Sequence, residues 1–84
     1  MKIDIAELGL PMDCEIEPLD GFDGRLWAIT VNPLGFVTID FKNRYFGLGF
    51  GSPHLTRVKS TDTYQGKGWK KRIAADAYQH LKAV

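Results

Sequence analysis

The sequence predicts an α+β fold, an antiparallel sheet of three to five strands covered by one C-terminal helix. Three observations carry this expectation. From residue 12 to about residue 50, apolar side chains recur with a period of two, in short runs cut by Gly, Pro, Asn and Asp. From Trp69 onward the period lengthens to about 3.6, the helical spacing. The 84 residues are 44% hydrophobic and 12% aromatic, enough to build one compact core and to exclude disorder. We therefore expect a single domain over 1–84, with an acidic segment at 1–24, the sheet at about 25–60 and the helix at about 68–83.

The elements follow in order. Residues 2–10 read either as a strand, because Ile3 and Ile5 alternate with charges, or as one helical turn through Ile5, Leu8 and Leu10. Gly9 and Pro11 end either one. Residues 12–17 alternate, with Met12, Cys14 and Ile16 on one face and Asp13, Glu15 and Glu17 on the other, a half-buried strand with an acidic outer row. Pro18 stops it. Asp20-Gly21 and Asp23-Gly24 suit turns with positive φ. In 25–31, Trp27, Ile29 and Val31 share a face. Asn32-Pro33-Leu34-Gly35 is a turn that folds this strand back onto 36–41, where Val37, Ile39 and Phe41 align. Lys42-Asn43-Arg44 forms a polar tip, and 45–50 returns with Phe46, Leu48 and Phe50 inward. Gly47 and Gly49 mark either a bulge or a patch of bare backbone that a partner approaches. Leu55–Ser60 is a candidate last strand, and His54 sits near its start without a chemical partner. In the helix, Trp69, Ile73, Ala77 and Leu81 recur every four residues, with Ala74 and Tyr78 beside them. Lys70, Lys71, Asp76, Gln79, His80 and Lys82 fall on the outer face.

Charge is the most informative global property. The net charge is +1. Residues 1–24 hold seven acids against one base, a balance of −6, while residues 25–84 hold ten bases against three acids, a balance of +7. Either an acidic segment lies across the basic part, or two surfaces meet different partners. One cysteine, Cys14, excludes an internal disulfide and fits a reducing, cytoplasmic compartment. One Cys and two His offer no metal-binding spacing, so no metal and no cofactor is expected. No apolar run is long enough to cross a membrane. No paired-carboxylate, Cys/His or Ser/His/Asp constellation stands out, and we expect a non-enzymatic protein.

The segment Gly66-Lys67-Gly68-Trp69-Lys70-Lys71-Arg72 runs against helix preference. Helix N-termini favour acids, because the macrodipole is positive there. Four cations crowd this one. A bound phosphate would compensate, and so would the chain's own acids. The segment resembles the glycine-rich, double-lysine helix start of double-stranded-RNA-binding domains, in which lysines contact phosphates. It is one residue shorter between glycines and lysines than that family's pattern, and Ile73 stands where alanine is usual. The hairpin followed by Phe46-Gly47-Leu48-Gly49 and then Arg72-Ile73-Ala74 is also similar to the DNA arm-binding domains of phage-type integrases, apart from the longer 51–65 stretch.

Two kinds of binder follow. In the first, Lys67, Lys70, Lys71 and Arg72, with Lys42 and Arg44 from the hairpin tip, grip nucleic-acid phosphates. In the second, the chain docks on a host protein complex, resembling phage-encoded anti-defence inhibitors in size and style. It would use the acidic row Asp13, Glu15 and Glu17 or an exposed apolar face of Leu26, Ala28 and Phe36. A homodimer through an exposed strand edge is a third arrangement.

Overall fold

The computed structural model describes residues 3–19, 21, 24–31, 34–48, 56–59 and 63–83, with the backbone path alone at 48, 56–59 and 83. Five antiparallel strands form one sheet in sequential order: β1 (Cys14–Pro18), β2 (Leu26–Val31), β3 (Gly35–Asp40), β4 (Tyr45–Leu48) and β5 (Thr56–Lys59). A helix, α1 (Trp69–Ala83), packs on one face, chiefly over β3. Among the described residues no helix is long and apolar enough to cross a membrane.

The ambiguous start takes its helical alternative, a single turn, and not the strand. It is a 3-10 turn, Ile5–Leu8, capped by the Asp4 carboxylate on the Ala6 N–H at 3.1 Å. Leu8 is buried beneath α1, while Ile5 is about half exposed. A tight turn with the Cys14 N–H on the Pro11 carbonyl (3.2 Å) then leads into β1. That turn breaks the alternation expected over 12–17. Met12 is fully exposed instead of inward, and the strand begins only at Cys14. The acidic segment therefore contributes an edge strand to the sheet, which starts earlier than residue 25. At Gly21 and Gly24 φ is positive, as the Asp-Gly pairs predict; Asp20, Phe22 and Asp23 lie outside the described residues.

The β2–β3 hairpin has the expected register. Leu26 faces Asp40, and Val31 faces Gly35. Asn32 and Pro33 of its turn lie outside the described residues, but the Leu34 N–H returns to the Val31 carbonyl at 2.6 Å. Trp27, Ile29, Val31, Val37, Ile39, Phe41 and Phe46 face the helix, which answers with Ile73, Ala74, Ala77, Tyr78 and Leu81. Ala74 and Ala77 are fully buried, so their small side chains bring the helix close onto the sheet. β5 falls where a last strand was expected. A register shift against it at Phe46/Gly47 supports the bulge reading of Gly47; Gly49, Phe50 and His54 lie outside the described residues.

The opposite sheet face was expected to be exposed and is not. Leu26 and Ala28 are buried with Leu19 in a second apolar cluster, and Thr38 and Asp40 are fully buried. Only Phe36 of the apolar triad stands exposed, so that triad forms no docking face. His80 also departs from expectation. Its ring lies 5.8 Å from that of Phe46, and its Nε2 is buried without a hydrogen-bond partner among the described residues. It belongs to the helix–sheet boundary rather than the solvated face.

Candidate nucleic-acid interface

The site begins with a short loop that two glycines make. Gly66 and Gly68 both have φ of +78°, a region L side chains rarely adopt. Arg72 side-chain hydrogen bonds tie the loop to the helix. Arg72 reaches back from the first turn of α1 and donates to the Lys67 carbonyl at 2.7 Å and to the Gln65 carbonyl. The Arg72 N–H closes the first helical hydrogen bond, onto the Gly68 carbonyl at 3.1 Å. The first turn of α1 contains no acid. The positive end of the dipole and the N–H groups of this turn therefore lie at the same end of α1 as the lysines, with no acid in the turn to offset them.

The second part comes from the β3–β4 turn. Asp40, fully buried, accepts from the Asn43 N–H at 2.9 Å and from Arg25 Nε at 2.8 Å. This ties down the turn that follows. Arg44, at the end of it, takes φ +58°, the one non-glycine residue with positive φ among those described. Such a conformation costs roughly 1–2 kcal/mol, so the surroundings must hold it. They do so through the side chain. The Arg44 guanidinium lies 4.3 Å from the Trp69 ring centroid and donates to the Tyr64 carbonyl at 3.3 Å. Below Trp69, Phe41 continues an aromatic chain to Trp27, with centroid separations of 6.3 and 6.4 Å.

Tyr64 joins the parts. It is buried, its ring lies 6.5 Å from that of Phe46, and its hydroxyl donates to Asp76 at 2.8 Å. Burial first, and the Asp76 carboxylate second, push its phenol well above the ordinary value.

The result is an open cleft of about 520 Å³ lined by Glu7, Gly66, Lys67, Gly68, Trp69, Lys70 and Lys71. It holds one acid against three lysines. Lys70 Nζ stands 5.9 Å from the Trp69 centroid, sharing that ring with Arg44. Lys71 runs beside the end of the 3-10 turn, where a Cβ on Gly9 would meet its Cε at 3.1 Å. Of the six cations expected to act together, Lys67, Lys70 and Lys71 line this cleft, and Arg44 packs on the Trp69 ring that forms part of its wall. Arg72 shapes its loop. Lys42 stands exposed in the turn that carries Arg44.

The acids go elsewhere. Asp13 accepts from the Tyr78 hydroxyl at 2.8 Å and pairs with Lys82 at 3.6 Å, near the far end of α1. Glu15 and Glu17 are exposed on β1. The row expected to contain all three is split, and apart from Glu7 it leaves the cations of the cleft uncovered. Three contributors were not singled out by sequence reasoning: Trp69 as a platform, Tyr64 as a joint, and Asp40 as the anchor of the turn. A lone Tyr in a polar stretch and a lone Asp in a strand carry no periodic signal. No family model matches this chain, and no significantly similar curated protein or solved structure was found.

Proposed function

We propose that this protein binds nucleic acid by its phosphate backbone, without catalysis, at the cleft where α1 begins. One observation carries the reading. Arg44, from a turn far upstream in sequence, is brought onto the same Trp69 ring as Lys70, beside Lys67 and Lys71. Cations on separate elements repel one another, and stability alone gives no reason to gather them. A polyanion does. Helix N–H groups at the same end add donors for phosphate oxygens. Lys67, Lys70 and Lys71 are the direct phosphate ligands. Arg44 is held in place by stacking and presents its outer edge. Lys42 extends the same side, and Arg72 keeps the loop in shape with donors left over.

Fluorescence anisotropy with labelled duplex RNA, duplex DNA and single strands tests this. Three to four phosphate contacts give a salt slope of about −2.7 to −3.6 on duplex, a roughly 40- to 150-fold loss of affinity between about 50 and 200 mM salt. The triple variant K67A/K70A/K71A, all at exposed or half-exposed positions, abolishes binding while its circular dichroism is unchanged. Absence of salt-sensitive binding to all of these probes by the wild-type chain ends the proposal.

A further inference from the structure

The outer edge of β1 is open among the described residues, because β1 is the first strand of the sheet and pairs only with β2. The hydrogen-bond pattern fixes which groups it offers. The Leu19 N–H donates to the Leu26 carbonyl at 2.9 Å, and the register continues as Glu17↔Ala28 and Glu15↔Thr30. In an antiparallel ladder, alternate residues turn their backbone groups toward the neighbour. Glu15 and Glu17 therefore face β2, and Cys14, Ile16 and Pro18 face outward. Two details agree. The Cys14 N–H is taken by the Pro11 carbonyl on that side, and Pro18, with no N–H, stands where none is needed. What remains is the Ile16 N–H with the carbonyls of Cys14, Ile16 and Pro18.

An open groove of about 510 Å³ runs along this edge, with Ile5, Leu10 and Ile16 as its apolar part and Glu15 and Glu17 as its charges. We propose that the β1 edge takes an extended segment of another protein as a sixth strand, with a cation–apolar–cation pattern. The pleat dictates that pattern. A residue opposite Ile16 points into the apolar part, and its two neighbours point to the face of Glu15 and Glu17. A second copy of this chain fits poorly. Antiparallel pairing of two β1 edges centred on Ile16 sets Glu15 of one copy opposite Glu17 of the other, twice, and like charges directly opposite destabilise a sheet.

The probe is a fluorescein-labelled peptide, Gly-Ser-Thr-Lys-Val-Lys-Thr-Ser-Gly, titrated against the full chain. We expect saturable binding with Kd below about 1 mM. Exchanging both lysines for glutamate eliminates it. N-methylation of the central valine, which removes the donor to the Ile16 carbonyl, also eliminates it. On the protein, E15Q/E17Q weakens binding between about 2- and 30-fold. Ile16→Pro removes the outward N–H at a position where an edge strand tolerates proline. Should that variant not fold, the N-methyl peptide carries the same test. Equal binding of the lysine and glutamate peptides overturns the proposal, as does no saturable binding. Sedimentation showing a dimer that Ile16→Pro dissociates places a second copy on the edge and overturns it as well.

Discussion

Asp40 does not touch the proposed cleft, yet replacing it should weaken both the fold and the site. Its carboxylate is fully buried and accepts three hydrogen bonds, from Arg25 Nε at 2.8 Å, the Asn43 N–H at 2.9 Å and Asn43 Nδ2 at 3.1 Å. Bonds to a charged acceptor contribute roughly 1.5–3 kcal/mol each. The full sum does not apply. The Arg25 side chain is 32% exposed and can turn to water, so its share is discounted, and the exposed Asn43 amide can do the same. The Asn43 backbone N–H is bound within the turn and has less freedom to find water. Asp40→Ala should therefore cost about 2–4 kcal/mol. Asp40→Asn keeps an acceptor for that N–H but loses the charge, and should cost about 1–2 kcal/mol. A chain of 84 residues is stable by roughly 4–13 kcal/mol, so the alanine variant stands near the edge of folding. Urea denaturation followed by tryptophan fluorescence reads the shift in midpoint at constant m. Asp40→Asn, still folded, should also bind nucleic acid several-fold less tightly, because Arg44 follows the turn that Asp40 anchors. A ΔΔG below about 0.5 kcal/mol for Asp40→Ala would refute the reasoning, since no buried anchor would then have been lost.

Other consequences follow from the same geometry. Tyr64→Phe removes the bond to Asp76 and should cost about 0.5–1.5 kcal/mol in urea, since Asp76 is exposed and regains water. The Tyr64 phenol is held above its ordinary value of about 10. Its contribution is complete below that pH and is lost as pH rises through the raised value, so alkaline loss of stability should be shallower in Tyr64→Phe. Burial, aided by the charges of Asp13 and Glu15, pushes the Cys14 thiol up. Iodoacetamide at about pH 8.5, the ordinary thiol midpoint, should alkylate the native chain more slowly than the urea-unfolded chain. Equal rates would contradict the burial of that thiol. Gly68→Ala forces a side chain into φ +78°. It should cost about 1–2 kcal/mol and, by tilting the loop that Arg72 holds, reduce nucleic-acid affinity by more than the loss of folded protein accounts for.

Much of the fold was legible because local pattern and tertiary role agree. Trp27, Ile29 and Val31, and Val37, Ile39 and Phe41, repeat at two and all face the helix, which repeats at 3.6 and faces back. The pattern failed where a turn shifted its phase. The bond from Cys14 to Pro11 takes Met12 and Asp13 out of the strand, so Asp13 meets α1 instead of joining Glu15 and Glu17. It failed again where a polar residue is buried for its bonds. Nothing in the alternation of β3 marks Asp40 and Thr38 as buried, because hydropathy cannot register a covered second face, nor the Arg25 that pairs with Asp40. The basic segment was visible as a charge anomaly. Its partner Arg44 was visible only as a tip residue, because its meeting with Trp69 depends on the register of β3 on β4 and on the path of the loop before α1.

Among the described residues, the acids Asp13, Glu15 and Glu17 therefore stand away from the cations of the cleft. Apart from Glu7, the acids in contact with α1 sit along its later turns, where Tyr78 and Lys82 receive Asp13 and the edge strand carries Glu15 and Glu17 away. Lys70 and Tyr78 lie eight residues apart on one helix, about 12 Å along its axis. Exposed charges beyond about 8 Å are largely screened at physiological salt. An acid that quenches the cleft must stand within that length, as Glu7 in its lining does. At the other end of the helix it is the cations that match the dipole. Lys82 and His80 occupy the negative terminus, and the Asp13 that pairs with Lys82 also fixes β1 against α1 through Tyr78. Asp13 thus has a structural use of its own, and among the described residues the lining of the cleft sets three lysines against Glu7. A near-neutral total charge, +1, that hides a cluster of cations at one cleft is no argument against a polyanionic partner there.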